Sequence, residues 1–252
     1  MIADYPKTCH IPQLRRLWKE AFGDTDVFLD GFFAHGFDFR RCRCILEEDV
    51  PVSVLYWFEV TYRNQRFAYL YAVATAVSHR GQGLFSSLLE DTKRVLTEEG
   101  FDGILLHPET ETLGKMYGKL GFFPCAAVEI RTVATAENAI AVREIGPETF
   151  ADLRRKKLPE GTAEAGSDML KFLGSQYRFW AGDGFLVAGQ VYDDKLVCQE
   201  FLGDTEAAGG LVRALGASEG ILRMPGTARD FIYALPLHSN CTMPEYFPFA
   251  LD

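Results

Sequence analysis

Arg80-Gly81-Gln82-Gly83-Leu84-Phe85 is the stretch of this chain whose residue types can hold an anion. Two glycines one residue apart let backbone N–H groups approach a phosphate closely. A helix starting directly after them adds the positive end of its dipole. Two familiar ligands of such turns fit badly. A P-loop ends in Gly-Lys-Ser/Thr, whereas Gly83 is followed by Leu84-Phe85. A dinucleotide fingerprint needs a third glycine where Ser86 stands. It also opens its fold at the first strand, although Glu109 does lie roughly where a ribose-binding acid belongs.

Other reactive groups carry less. Cys42-Arg43-Cys44 has one residue between its thiols, which on a strand turns both to one face and reads as packing. The remaining cysteines and the five histidines show no ligand spacing, so no metal is expected. A net charge of −9 over 252 residues argues against nucleic acid and is compatible with a cationic substrate. No basic n-region with an apolar h-region follows Met1, and no apolar run reaches the roughly 18–20 residues of a membrane span. The expectation is a cytoplasmic, globular protein with no membrane partner.

The glycine turn needs a strand before it and a helix after it. Residues 67–75 are an apolar, strand-like run. After the turn Phe85, Leu88, Leu89, Thr92, Val95 and Leu96 recur at helical spacing, Gly100 stands at the C-cap, and 101–106 read as a buried strand. Upstream, Ile11, Leu14, Leu17, Trp18, Ala21 and Phe22 form a helical stripe behind Pro12. A second helix, capped by Asp26, carries Val27, Phe28, Phe32 and Phe33. Strands at 43–47, 52–62 and 67–75 with short polar turns predict an antiparallel meander, with 104–107 returning parallel to the last strand. A helix bearing Leu113, Met116, Tyr117 and Leu120 follows Pro108, and an apolar strand runs from Phe122 towards Val133. This predicts an α/β (α+β) fold, a mixed and mostly antiparallel sheet flanked by helices.

The small, polar stretch 135–139 marks a boundary, dividing the chain into domains 1–135 and 136–252. The second half reads as a strand at 141–145, helices at 147–157 and 167–180, a hairpin of 185–192 and 196–202, a helix at 205–215, and strands near Ile221, Phe231 and Phe247. Its order echoes the first half without the glycine turn.

At Arg80-Gly81-Gln82-Gly83-Leu84 the sequence resembles the Gcn5-related N-acetyltransferase (GNAT) superfamily, whose acyl-CoA motif Q/R-x-x-G-x-G/A lies between its fourth strand and third helix. Met116-Tyr117-Gly118-Lys119-Leu120-Gly121-Phe122 is similar to a second family segment at the family spacing. Phe85 departs from the usual Gly/Ala. The resemblance covers roughly residues 11–133 and makes the second half a smaller, degenerate GNAT-like α+β domain.

What the resemblance implies is a cleft between the fourth and fifth strands that takes the pantetheine arm of acetyl-CoA. Thr75 and Val77 would offer it backbone groups. The N–H groups of Arg80, Gly81, Gln82, Gly83, Leu84, Phe85 and Ser86 would hold the pyrophosphate. Tyr117 would be the general acid. The base stays open, because the fourth-strand glutamate of many relatives is missing from Tyr69-Leu70-Tyr71-Ala72-Val73. Glu59, Glu109, Glu111 or a water chain remain. So does a carboxylate of Asp252, since tandem relatives such as the N-myristoyltransferases and aminoglycoside acetyltransferases of the enhanced intracellular survival type use a C-terminal carboxylate. The expected activity is N-acetylation of a small-molecule or peptide amine. A non-catalytic acyl-CoA-binding sensor is the alternative, motivated by Phe85 and the missing glutamate. Acceptor identity and oligomeric state are not legible.

Overall fold

The computed structural model describes residues 3–250. The first half is β1 (Ala3–Asp4), α1 (Ile11–Phe22), α2 (Asp26–Gly31), β2 (Cys42–Glu47), β3 (Val50–Tyr62), β4 (Gln65–Thr75), α3 (Leu84–Glu98), β5 (Gly103–Leu106), α4 (Glu111–Lys119) and β6 (Phe123–Ala134). The second half is β7 (Arg143–Ile145), α5 (Pro147–Arg155), β8 (Glu164–Ala165), α6 (Ser167–Gln176), β9 (Arg178–Gly182), β10 (Phe185–Tyr192), β11 (Lys195–Gly203), α7 (Ala208–Ala214), β12 (Glu219–Pro225) and β13 (Arg229–Pro236).

Local chemistry explains most boundaries. Pro12 opens α1, and Gly23, left-handed at φ 76°, closes it. Thr25, not Asp26, caps α2 by accepting from Phe28 N–H at 3.2 Å, because Asp26 is drawn back to Lys19 and Arg15 on α1. Three hairpins turn through Glu48-Asp49, Arg63-Asn64 and Asp193-Asp194, each with both central residues at positive φ. That is the turn sense matching the strand twist. Cys42 and Cys44 are both fully buried in β2. Burial pushes the Cys44 thiol up to about 12 and the Cys42 thiol well above its usual value, which makes them packing residues.

One continuous sheet runs β1-β2-β3-β4-β5-β13-β6-β12-β11-β10-β9-β7, with β8 added beside β3. The predicted meander is β2-β3-β4, and β5 is parallel to β4. In the second half β10-β11 repeats the hairpin and β12 is parallel to β11, so part of the element order recurs. Helices α1, α2, α5 and α6 cover one face over a core from Leu14 and Trp18 to Phe172 and Phe179. Helices α3 and α4 cover the other face of the first half, and α7 that of the second.

Three features depart from expectation. Strand β13 lies between β5 and β6, pairing Tyr233 with Leu106 and Ala234 with Phe123, so the halves 1–135 and 136–252 share a sheet. The helix expected over 167–180 ends at Gln176, and Phe179-Trp180-Ala181 continue as β9 against β10. An aromatic run of this length fits either period, and pairing with Leu186, Val187 and Ala188 decides it. The segment around Phe247 is not a ladder strand. It threads through the core, with Phe247 and Phe249 fully buried, held by Ala163 N–H to Tyr246 O (3.0 Å) and Arg223 Nη1 to Pro248 O (2.9 Å). Beneath it Arg154 and Glu200, both buried, form a two-point ion pair at 2.7 and 3.0 Å, and the Arg154 guanidinium lies 4.9 Å from the Phe249 ring centre.

Candidate functional site

Strands β4 and β5 stay hydrogen-bonded only from Phe67–Gly103 to Tyr69–Leu105. Beyond that the two strands part. At the same point β4 slips against β3: Tyr71 faces Tyr56 and Ala74 faces Val54, which leaves Ala72 and Val73 opposite Leu55 alone. Ala72 sits at φ 50°, a left-handed conformation that costs a non-glycine residue roughly 1–2 kcal/mol. The bulge lies where β4 parts from β5, and both Ala72 and Val73 line the gap.

Two cavities open from that gap. One, of about 500 Å³, runs along the glycine turn and is lined by Thr75, His79, Arg80, Gly81, Gly83, Leu84, Phe85, Ser86 and Tyr117, among others. The second, of about 360 Å³, is walled by Trp18, Phe28, Tyr69, Tyr71, His107 and Tyr117, with Asp24 and Glu109 among its rim. Phe22, Val73, Leu113 and Tyr117 line both.

The turn has the form an anion requires. Gly81 and Gly83 stand at φ 74° and 76°, and an added Cβ at either would meet nothing, so backbone conformation rather than space demands glycine. Gly83 is the N-cap of α3 without a side-chain cap, and the first turn of α3 contains no acid. Its first N–H groups therefore point outward under the helix dipole. Arg80 is tied by its Nε to Thr75 O at 3.1 Å. Of the residues expected here, Val77 and Gln82 lie outside the cavity lining. The Val77 N–H donates to Glu20 at 2.7 Å, and the Gln82 amide donates to Ser78 O. Thr75 lines the cavity, with its hydroxyl on Ser53.

Tyr117 sits on α4, whose start is capped by the Thr110 hydroxyl. Its ring is clamped edge-on between Phe85 (5.9 Å) and Phe122 (5.6 Å). Phe85, the departure from the family pattern, thus turns its bulk to Tyr117. Burial alone pushes the Tyr117 phenol up to about 12.

The expected bases fare unequally. Glu59 is gripped by Arg66 at 3.0 Å through both oxygens, and that hydrogen bonding holds its carboxyl below the usual range, which suits an ion pair. Glu111 pairs with Lys115 on the exposed side of α4. Glu109 reaches the second cavity. Asp252 lies outside the described residues; Ala250 lines the second cavity. Sequence reasoning missed His107, which follows β5 directly where the gap opens. Its Nδ1 donates to Phe231 O at 2.7 Å, so that nitrogen carries the proton. Phe231 belongs to the second half, and its approach to His107 follows from the insertion of β13. The signal available was a histidine at the C-terminal end of the strand facing the turn.

A Cys9, His10 and Asp49 group brings ligand atoms within 4.8 Å of one another. His10 Nδ1 already accepts from Lys7 N–H and Nε2 faces Asp49, so the neutral ring has no lone pair for a cation there.

In the second half the turn before α7 is Asp204-Thr205-Glu206, acidic where the first half has Arg80 and glycines. That charge opposes a phosphate, and no counterpart of α4 separates β12 from β13. Among the described residues the glycine turn of the first half has no counterpart before α7.

Residues 4–125 match the family model of the acetyltransferase (GNAT) domain. No curated protein matches the sequence. The fold is similar to a GCN5-related N-acetyltransferase from Anabaena variabilis ATCC 29413, with TM-score 0.72 and 13% identity over 94% of this chain and 73% of that one. A GCN5-related N-acetyltransferase from Kribbella flavida gives TM-score 0.68 and 15% identity over 92% and 70%. A tandem GNAT protein from the clavulanic acid biosynthesis pathway gives 0.59 and 7% over 95% and 100%. The glycine turn, the splayed strands and the matched motifs all lie in the first half, within the stretch at residues 4–125 that matches the acetyltransferase (GNAT) domain.

Proposed function

We propose that the protein transfers an acetyl group from acetyl-CoA to an amine. The observation that carries this is the wall shared by the two cavities: Tyr117 and Val73 face both the phosphate-binding side and the aromatic side. A thioester entering along the glycine turn meets an amine from the other cavity at that wall.

Each residue then has a task. The helix start and Arg80 bind the pyrophosphate. The amine lone pair attacks the thioester carbon, forming the N–C bond, and the carbonyl oxygen gathers charge beside the main-chain N–H groups of the Ala72–Val73 bulge. His107 and Glu109, which both line the second cavity, are the candidate bases for the ammonium proton. The C–S bond breaks, and the thiolate leaves towards the Tyr117 hydroxyl. A phenol that ionises only near 12 works first as a hydrogen-bond donor to that sulfur. Phe85 supports catalysis rather than a silent sensor, because it fixes the Tyr117 ring.

The test is thiol release from acetyl-CoA with a panel of amines, beside calorimetric titration of acetyl-CoA. Binding with amine-dependent release is the expected result. Binding without release from any amine would favour the sensor, and no binding would end both readings.

A further inference from the structure

The second cavity has a composition that selects its occupant. Its walls are Trp18, Phe28, Tyr69 and Tyr71, with Phe22 beside them and, among the described residues, no lysine or arginine in the lining. The rings support one another: Trp18 lies 5.5 Å from Tyr71 and 6.3 Å from Phe28. Two carboxylates, Asp24 and Glu109, flank this aromatic box. Asp24 is fixed in place. It follows the left-handed Gly23 that ends α1, and one of its oxygens accepts the Trp18 indole N–H at 2.7 Å. Trp18 itself is buried. The indole therefore holds the carboxylate against the rings that line the pocket.

Resting on the acetyl-transfer reading above, we infer that the acceptor is a small primary monoamine on an aromatic or branched apolar body, with Asp24 as the residue that selects its cationic form. Ring faces attract an ammonium and pack an apolar body. A volume of about 360 Å³ is at the small end for ligand sites. A polyhydroxylated aminosugar is opposed by the same walls: each hydroxyl left unpaired against a ring costs roughly 1–3 kcal/mol. The box also prepares the chemistry. Asp24 draws in the ammonium, and deeper among the rings desolvation favours the neutral amine that attacks.

The experiment compares kcat/KM for phenethylamine, glucosamine and a lysine-containing tripeptide, with acetyl-CoA binding followed separately by calorimetry. Phenethylamine is expected to exceed the other two by at least about tenfold, a difference of roughly 1.4 kcal/mol. In Asp24→Asn, which keeps an oxygen for the Trp18 N–H, KM for phenethylamine rises about tenfold while KM for acetyl-CoA and inhibition by the neutral 2-phenylethanol stay unchanged. Equal or better turnover of glucosamine or the tripeptide, or an unchanged amine KM in Asp24→Asn, overturns the inference and leaves acetyl transfer standing. Acetyl-CoA binding without turnover of any amine overturns the transfer reading and the inference with it.

Discussion

Tyr117 is the residue on which the two cavities meet, and its surroundings separate its hydroxyl from its ring. The ring is held by Phe85 and Phe122, so Tyr117→Phe keeps the packing and removes only the donor to sulfur. The expected result is a loss of about 10²–10⁴ in kcat with the acetyl-CoA dissociation constant unchanged, read from steady-state rates and calorimetry. An unchanged kcat would remove Tyr117 from the mechanism. The pH dependence follows from its environment. Burial raises the phenol to about 12, the protonated form is the donor, and that form is lost only as pH rises through this value. The kcat–pH profile of the wild type is therefore expected to show no fall from about pH 8 to about pH 10. A descending limb in that window, absent in Tyr117→Phe, would contradict it. Tyr117 was legible because its neighbours Gly118-Lys119-Leu120-Gly121-Phe122 are local in sequence. His107 was not, because the carbonyl that sets its tautomer comes from Phe231, 124 residues away.

At the scale of the element, the site depends on one irregular strand. β4 begins as a regular partner of β3 and β5 and then breaks at Ala72, whose left-handed backbone no hydrophobic pattern announces. The meander, the parallel return of β5 and the helix behind the turn were all readable, since each follows from periodicity and short turns. The bulge was not, because Tyr71-Ala72-Val73 alternates like any strand and the distortion is imposed by its neighbours. Its cost is testable in both directions. Ala72→Gly relieves the left-handed strain and is expected to raise stability by up to about 1 kcal/mol. Ala72→Val puts a branched side chain at φ 50° and is expected to lower stability by more than about 1 kcal/mol and to reduce kcat, as the strand moves to relieve it. Denaturant unfolding of both variants decides the point: equal stability would mean that the bulge carries no strain.

In the whole molecule the second half repeats part of the first half's element order, and the two halves share one sheet. The duplication was legible in the second half's order. Its consequence was not, since the pairing of β13 with β5 and β6 depends on strand edges left open when the first copy's own neighbours part. The buried pair Arg154–Glu200 lies under Phe249 on the same seam, and the chain then reaches Ala250 at the second cavity. Removing one partner leaves a buried charge, so Glu200→Ala is expected to lose about 3–5 kcal/mol and to lower Tm by roughly 6–20 °C. Cutting the chain after Ala134 goes further. It removes β13, exposing the facing edges of β5 and β6 and uncovering Ile104, Leu105, Ala126 and Val128, all buried in the intact protein. Unpaired edges of that kind associate with one another. Residues 1–134 alone are therefore expected to aggregate and to show no cooperative thermal transition, although the glycine turn and Tyr117 are both present. A soluble fragment that melts cooperatively and binds acetyl-CoA would mean that the first half is a complete domain and that β13 only decorates it. An aggregating fragment rescued by co-expression of residues 135–252 would show that the second copy closes the sheet on which the first copy's site is built.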